Sequence, residues 1–285
     1  MITPIMLRSF GRSGSTLLMQ VLGSSSNVVF DRDYPFEKRH LTYLHRLTTV
    51  ASSESCNDEN WNADSLFSSK INRIGPLPYF DTNIIDREKL QLDFLTHLWS
   101  GFSGQIKDKL KEELNLDKPI YYAEKVVHDI CPDVNAAFYA KNLFLFRDPR
   151  DEFVSIKSFN AKRGFNGFGW GESDDDESYA LKLCQMRKSF MQHISSIEAS
   201  DRRYVVKYEE FIKSPYEITS FLGDWIGLEL DYGKVEAQKK SVEHHITSSN
   251  VAASVERWRT EMSPNVAQIF EKEIGEELSE LGYGL

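Results

Sequence analysis

Gly11-Arg12-Ser13-Gly14-Ser15-Thr16 is a run of small, hydroxyl-bearing and cationic residues set between two apolar segments. Ile5-Met6-Leu7 precedes it and Leu17-Leu18-Met19-Gln20-Val21-Leu22 follows it. The pattern reads as strand, tight loop, helix. At such a helix start the first backbone N–H groups have no partner within the helix, and the helix dipole favours negative charge there. Gly14 lets the backbone approach an anion closely. Ser13, Ser15 and Thr16 offer hydroxyls, and Arg12 offers a permanent charge in a planar donor fork. The chemistry this predicts is the cradling of a phosphate-like group.

A second segment carries the complementary chemistry. Lys141-Asn142-Leu143-Phe144-Leu145-Phe146 has the composition of a buried strand and runs into Arg147-Asp148-Pro149-Arg150-Asp151. Asp148 is an expected N-cap and Pro149 occupies the favoured first helical position. Phe153, Ile156 and Phe159 then recur at helical spacing. Arg147 falls at the C-terminal end of the strand, where ligands bind in open α/β sheets. Ser155 lies two turns into the helix, so the pair can hold one phosphate from two directions. The competing structural reading is an Arg147 paired with Asp148 or Asp151.

These motifs need a frame. Residues 36–51 read as a helix with Leu41, Leu44 and Leu47 on one face. Residues 52–64 read as a polar loop, and Gly75-Pro76-Leu77-Pro78 forbids regular structure. Residues 86–114 carry a stripe of Leu90, Phe94, Leu98, Phe102, Ile106 and Leu110, with breaks allowed at Gly101 and Gly104. Ile120–Ala123 is an expected strand and Pro132–Ala140 a short helix. Residues 164–171 form a Gly- and aromatic-rich loop in which Phe165, Phe168 and Trp170 either close over an apolar ligand or pin the loop to the core. Residues 178–198 are helical with Leu183, Phe190, Ile194 and Ile197 inward, and Arg203–Lys207 is a strand. Ser214-Pro215-Tyr216-Glu217 has the form of a capping box that opens a helix through Trp225. Ser263-Pro264 opens a last helix along Ile269, Ile274, Leu278 and Leu281. Strands alternating with helices imply an α/β fold with a doubly covered parallel sheet.

Taken together, Arg12–Thr16 and Arg147 with Ser155 resemble two motifs of the sulfotransferases that use 3′-phosphoadenosine-5′-phosphosulfate (PAPS). Ser254-Val255-Glu256-Arg257-Trp258-Arg259 is similar to a segment of bacterial and tyrosylprotein-like members. Tyr204-Val205-Val206-Lys207-Tyr208-Glu209-Glu210-Phe211 resembles another recurring strand and turn. The resemblance covers residues 5–260. It implies a single three-layer domain over residues 1–285, with a central parallel sheet and a P-loop-kinase-like architecture. It implies PAPS as donor and PAP as product, with no metal required. It places the 5′-phosphosulfate on Arg12, Ser13, Gly14, Ser15, Thr16 and Leu17, and the 3′-phosphate on Arg147 and Ser155. Tyr208, Ser254, Arg257 and Trp258 join the nucleotide site, with residues 248–254 closing over it. Many cytosolic members carry Lys where this chain has Arg12, which can stabilise charge but cannot act as a general acid.

Sulfuryl transfer resembles phosphoryl transfer, with a loose in-line transition state and charge growing on the leaving oxygen. An acceptor hydroxyl also needs a base. In tyrosylprotein and heparan-type relatives a Glu comes from the region after the short strand Val28-Val29-Phe30. Glu37 is the first choice here and Asp33 the second, with Pro35 and Phe36 directing the chain. Lys125, in a Glu-Lys pair similar to that of many members, is expected at the sulfate or acceptor, and His128 is an alternative base. His40, His45, His97, His193, His244 and His245 read as ordinary helix or surface residues.

Composition narrows the partners. A net charge of −9 opposes nucleic acid and polyanionic acceptors and favours a small or lipophilic hydroxyl compound. No apolar run approaches 18 residues, so no integral membrane segment is expected, and residues 1–4 lack the marks of a signal peptide. Cys56, Cys131 and Cys184 are widely spaced and read as reduced thiols in a cytoplasmic protein. Asp31-Arg32-Asp33 and Asp174-Asp175-Asp176 read as solvated loops. Two other classes are open. A P-loop kinase or NTPase would need Gly-x-x-x-x-Gly-Lys-Ser/Thr, of which only Gly14 and Thr16 fit. A non-catalytic PAP-binding member would bind nucleotide without turnover.

Overall fold

The computed structural model describes residues 1–33, 36–53, 85–237 and 252–284. The expectations for Pro35, Cys56, the loop at 54–64, Gly75–Pro78, His244, His245 and residues 248–251 lie outside the described residues. Five strands alternate with helices. They are β1 (Thr3–Arg8), β2 (Val28–Val29), β3 (Tyr121–Val126), β4 (Lys141–Phe146) and β5 (Arg203–Lys207), in the order β2-β3-β1-β4-β5. The sheet is parallel, and β4 runs against β5 with Leu143 opposite Tyr204 and Phe146 opposite Lys207. All six residues of β4 are buried, as a strand covered on both faces requires.

The described residues gather into two compact units. One comprises Met1–Met6 and Val29–Lys141, the other Leu7–Val28 and Asn142–Leu285. In the first, α2 (His40–Ala51), α3 (Arg87–Lys109) and α4 (Cys131–Ala137) surround a core of Ile2, Met6, Leu41, Leu95, Trp99, Tyr122 and Val134. Trp99 anchors it, since its indole N–H donates to the Ile2 carbonyl at 2.9 Å and its ring packs on Phe102, Tyr122 and Phe138. That anchor corrects the expected stripe on α3. Leu95, Trp99 and Ser103 face inward, whereas Phe94 and Leu98 are exposed. The helix runs unbroken through Gly101 and Gly104. Likewise α2 begins at His40 rather than at 36, and Leu47 is exposed. β3 runs on through Glu124 and Lys125, which the sequence reading placed after it.

The second unit holds α1 (Ser15–Leu22), α5 (Pro149–Arg163), α6 (Asp176–Ser195), α7 (Tyr208–Lys213), α8 (Pro215–Ile226), α9 (Tyr232–Ala237), α10 (Trp258–Glu261) and α11 (Pro264–Glu280). Phe144, Phe146, Phe153, Tyr179, Leu183, Phe190, Phe270 and Leu278 form its core. Asp148 caps α5 by accepting from the Arg150 N–H, with Pro149 at the first position as expected. Asp175 and Ser178 cap α6 reciprocally, so the acidic run there is a helix start rather than only a solvated loop. The expected capping box at Ser214 does not form, because the hydroxyl makes no cap bond where α7 runs directly into α8.

Candidate functional site

The second unit assembles the candidate anion cradle residue by residue. β1 delivers the chain into Phe10–Gly14, and α1 leaves from it with the Leu18 N–H making the first helical bond, to the Gly14 carbonyl at 3.2 Å. The amides of Ser15, Thr16 and Leu17 therefore precede the helical ladder. Gly14 sits at φ 90°, and a Cβ there would strike the Tyr208 ring. Arg12 also adopts the left-handed region, at φ 68°. A non-glycine residue stays there only when its surroundings hold it. Its holders are visible. Arg12 Nε donates to the Ser155 Oγ at 3.2 Å, and its guanidinium lies 4.4 Å from the centre of the Phe159 ring. Burial, with Arg147 beside it, lowers its pKa to about 10.

Arg147 leaves the end of β4 and ties three segments together. Its guanidinium donates to the Arg12 carbonyl at 2.8 Å and to the Ser254 carbonyl at 2.6 Å, and it lies 4.7 Å from the Tyr208 ring centre. Tyr208 and Ser254 share a hydrogen bond at 2.8 Å. Residues 12, 147, 155, 208 and 254, distant in sequence, thus meet at one place. Buried Arg147 Nε has no hydrogen-bond partner among the described residues. Of the two competing partners for Arg147, Asp148 takes Arg150 instead at 2.8 Å, while Asp151 feels the Arg147 charge and accepts the Glu256 and Trp258 N–H groups. Ser155 contacts Arg12, not Arg147, in this arrangement.

The remaining expected residues are held by contacts of their own. Arg257 pairs with Glu261 at 2.8 Å and donates to the Ser158 Oγ at 3.1 Å. Asp151 accepts the Glu256 and Trp258 backbone N–H groups, and Arg150 lies over the Trp258 ring at 3.9 Å. The aromatic loop is pinned at two of its three rings. Trp170 stacks on Tyr179 at 4.1 Å, and Phe168 packs against the core and against Gly11. Phe165 stays exposed beside a recess of about 440 Å³ lined also by Lys157, Asn160, Ala161 and Trp170.

Sequence reasoning passed over the group beneath the loop. The Ser13 hydroxyl donates to the buried Glu152 carboxylate, and Glu152 accepts from Arg187 Nε at 2.7 Å. Arg187 lies 3.6 Å from the centre of the Phe10 ring. The one sequence signal was Glu152 itself, an acid beside the core positions Phe153 and Ile156; Arg187, on α6, had none.

In the first unit Glu37 is exposed and lies 3.8 Å from Lys125 Nζ and 3.6 Å from Arg39. Burial lowers the Lys125 pKa to about 8, and Glu37 opposes the shift. His128 is exposed. Asp33, the second choice of base, is paired with Lys38 at 2.8 Å, as is Asp31. Glu124 accepts the Leu41 and Thr42 N–H groups at 2.8 and 2.9 Å, so it caps α2 from the neighbouring strand.

A family model described as "Sulfotransferase family" matches residues 4–232. Among solved structures, the sulfotransferase domain from the Synechococcus PCC 7002 olefin synthase aligns with a TM-score of 0.53 at 16% identity, over 100% of this chain and 96% of that one. A sulfotransferase from Alicyclobacillus acidocaldarius gives 0.49 at 10% identity, with 100% and 98% covered. Mouse sulfotransferase SULT7A1 complexed with PAP gives 0.46 at 13%, with 97% and 84% covered. The first of these supports the fold. No curated protein matches the chain.

Proposed function

The chain belongs to the sulfotransferase family, and from that premise we propose that it moves the sulfuryl group of PAPS to the hydroxyl of a small, uncharged or lipophilic acceptor. The observation that carries the donor assignment is the meeting of Arg12, Arg147, Tyr208 and Ser254 around the start of α1. Two anionic groups on one nucleotide suit two arginines held by separate segments. The 5′-phosphosulfate is assigned to Arg12 and the amides of Ser13–Leu17, because the Ser13 hydroxyl is already given to Glu152. The 3′-phosphate is assigned to Arg147, whose buried Nε has no hydrogen-bond partner among the described residues, with Ser155, Tyr208, Ser254 and Arg257. Trp258 is assigned to the nucleotide with them.

PAPS supplies the sulfuryl group and the leaving phosphate oxygen. Arg12 neutralises the charge that grows on that oxygen. With a pKa of about 10 it stays cationic at neutral pH and donates no proton to the leaving group. Glu37 is assigned as the base for the acceptor hydroxyl, with His128 as the alternative, and Lys125 as a cation for the sulfate or acceptor. The recess beside Phe165 and Trp170 sets two aromatic rings beside Lys157, Asn160 and Asn166, a mixed surface that an uncharged hydroxyl compound could cover. Buried Cys131 and Cys184 thiols fit a reducing cytoplasm.

The reading is tested with sulfur-labelled PAPS and a panel of phenols, sterols, aliphatic alcohols and sulfated or carboxylated polymers. Label should move to an uncharged hydroxyl compound. Glu37→Gln should then retain PAP binding and lower turnover about 10²–10⁴-fold. Transfer only to anionic polymers, lost with added salt, would remove the acceptor class. Normal turnover by Glu37→Gln with a dead His128→Ala would move the base.

A further inference from the structure

A loop that receives a polyanion rests on a buried carboxylate. Glu152 and Ser13 are each 1% exposed and Arg187 4%, so this contact is closed to solvent. A lone carboxylate so placed would repel the ligand above it and pay heavily for its own burial. Arg187 offsets that charge at 2.7 Å. The two residues come from α5 and α6, and they touch both flanks of the loop. Glu152 takes the Ser13 hydroxyl, while Arg187 covers the Phe10 ring, which Phe190 also packs at 4.8 Å edge to face. Between the two lies Arg12, in a backbone region that needs outside support.

We infer that Glu152 and Arg187 are positioning residues that set the loop's grip on the donor through the Ser13 hydroxyl. The inference rests on the loop being the donor's phosphosulfate site. A charge-assisted bond from Ser13 fixes the rotation of the Ser13 peptide, and with it the direction of the amides that follow. Ser13 and Glu152 should therefore act as one unit.

A double-mutant cycle tests this, with calorimetric PAP affinity and turnover measured on wild type, Ser13→Ala, Glu152→Gln and the double variant. By charge alone Glu152→Gln would tighten binding of the anionic PAP, so the weakening of about tenfold expected in the wild-type background, the size of one such bond, reads the lost positioning. In the Ser13→Ala background it should weaken binding by less than about twofold, because the route is already cut. A merely structural Glu152 would lower the melting temperature and leave the affinity of the folded protein alone. Equal fold-changes in both backgrounds, or an unchanged affinity in Glu152→Gln, would overturn the inference. If Glu152→Gln does not fold, the arginine decides. Arg187→Lys should hold PAP affinity within about threefold and Arg187→Met should lose about tenfold; equal affinities overturn it. Wild-type protein that fails to bind PAP overturns the donor reading instead.

Discussion

Arg12 and Lys125 are both partly desolvated cations, and burial treats them differently. Arg12 starts so high that a pKa of about 10 leaves it charged throughout the neutral range. Its proposed work is charge neutralisation, so Arg12→Ala should depress turnover at saturating PAPS beyond its effect on donor binding, and Arg12→Lys should retain part of the rate. Full turnover by Arg12→Ala in single-turnover kinetics would count against that role. Lys125 falls to about 8, chiefly by burial. Below pH 8 it is charged in folded and unfolded chain alike, and the full burial cost is present. Between about pH 8 and its ordinary value the folded chain gives up the proton first, so stability contributed by this residue rises with pH. Lys125→Met should raise the melting temperature at pH 7, and the gain should shrink by pH 10; a constant gain would place the cost elsewhere. That Arg12 and Arg147 could be singled out together follows from local loop and strand-end motifs, and the two do meet. The Glu152–Arg187 pair was not legible, since its partners lie on separate helices and no pattern in the chain joins them.

Elements whose ends are set by neighbouring residues were the easiest to read. The α5 start follows from Asp148 and Pro149, and β4 from six consecutive residues that suit burial on both faces. Elements set by tertiary contact were misread. The inward face of α3 is chosen by Trp99 and its bond to Ile2, not by the longest apolar row. β3 continues through charged residues because Glu124 finds donors from Leu41, Thr42 and Tyr122. α2 has no side-chain cap of its own, so this distant carboxylate replaces one. Burial pushes the Glu124 carboxyl up, and the four donors offset only part of that rise. Glu124→Ala, which leaves the Leu41 and Thr42 N–H groups at the α2 start without their acceptor, should cost about 1–3 kcal/mol, the penalty of unsatisfied buried donors. Denaturant unfolding checks it, and an unchanged midpoint would show that the α2 start does not depend on the carboxylate.

At the scale of the whole chain, the alternation of strands and helices predicted the α/β class, and the parallel sheet follows that prediction. The acidic balance of −9 says what the surface repels, while the proposed donor site concentrates Arg12, Arg147 and Arg257 locally. A basic pocket under an acidic surface selects a compact anion that enters the pocket over an extended polyanion that must cross the surface. The central claim is therefore the recognition of a nucleotide carrying a 3′-phosphate, and calorimetry of PAP against AMP in the presence of chelator tests it most directly. The account predicts PAP binding well above AMP without metal, with Arg147→Ala losing about ten- to a hundredfold of the PAP affinity and distinctly less of the AMP affinity, which Arg147 touches only through the Arg12 carbonyl. Equal affinity for the two nucleotides, or an Arg147→Ala protein that binds PAP as wild type does, would contradict it.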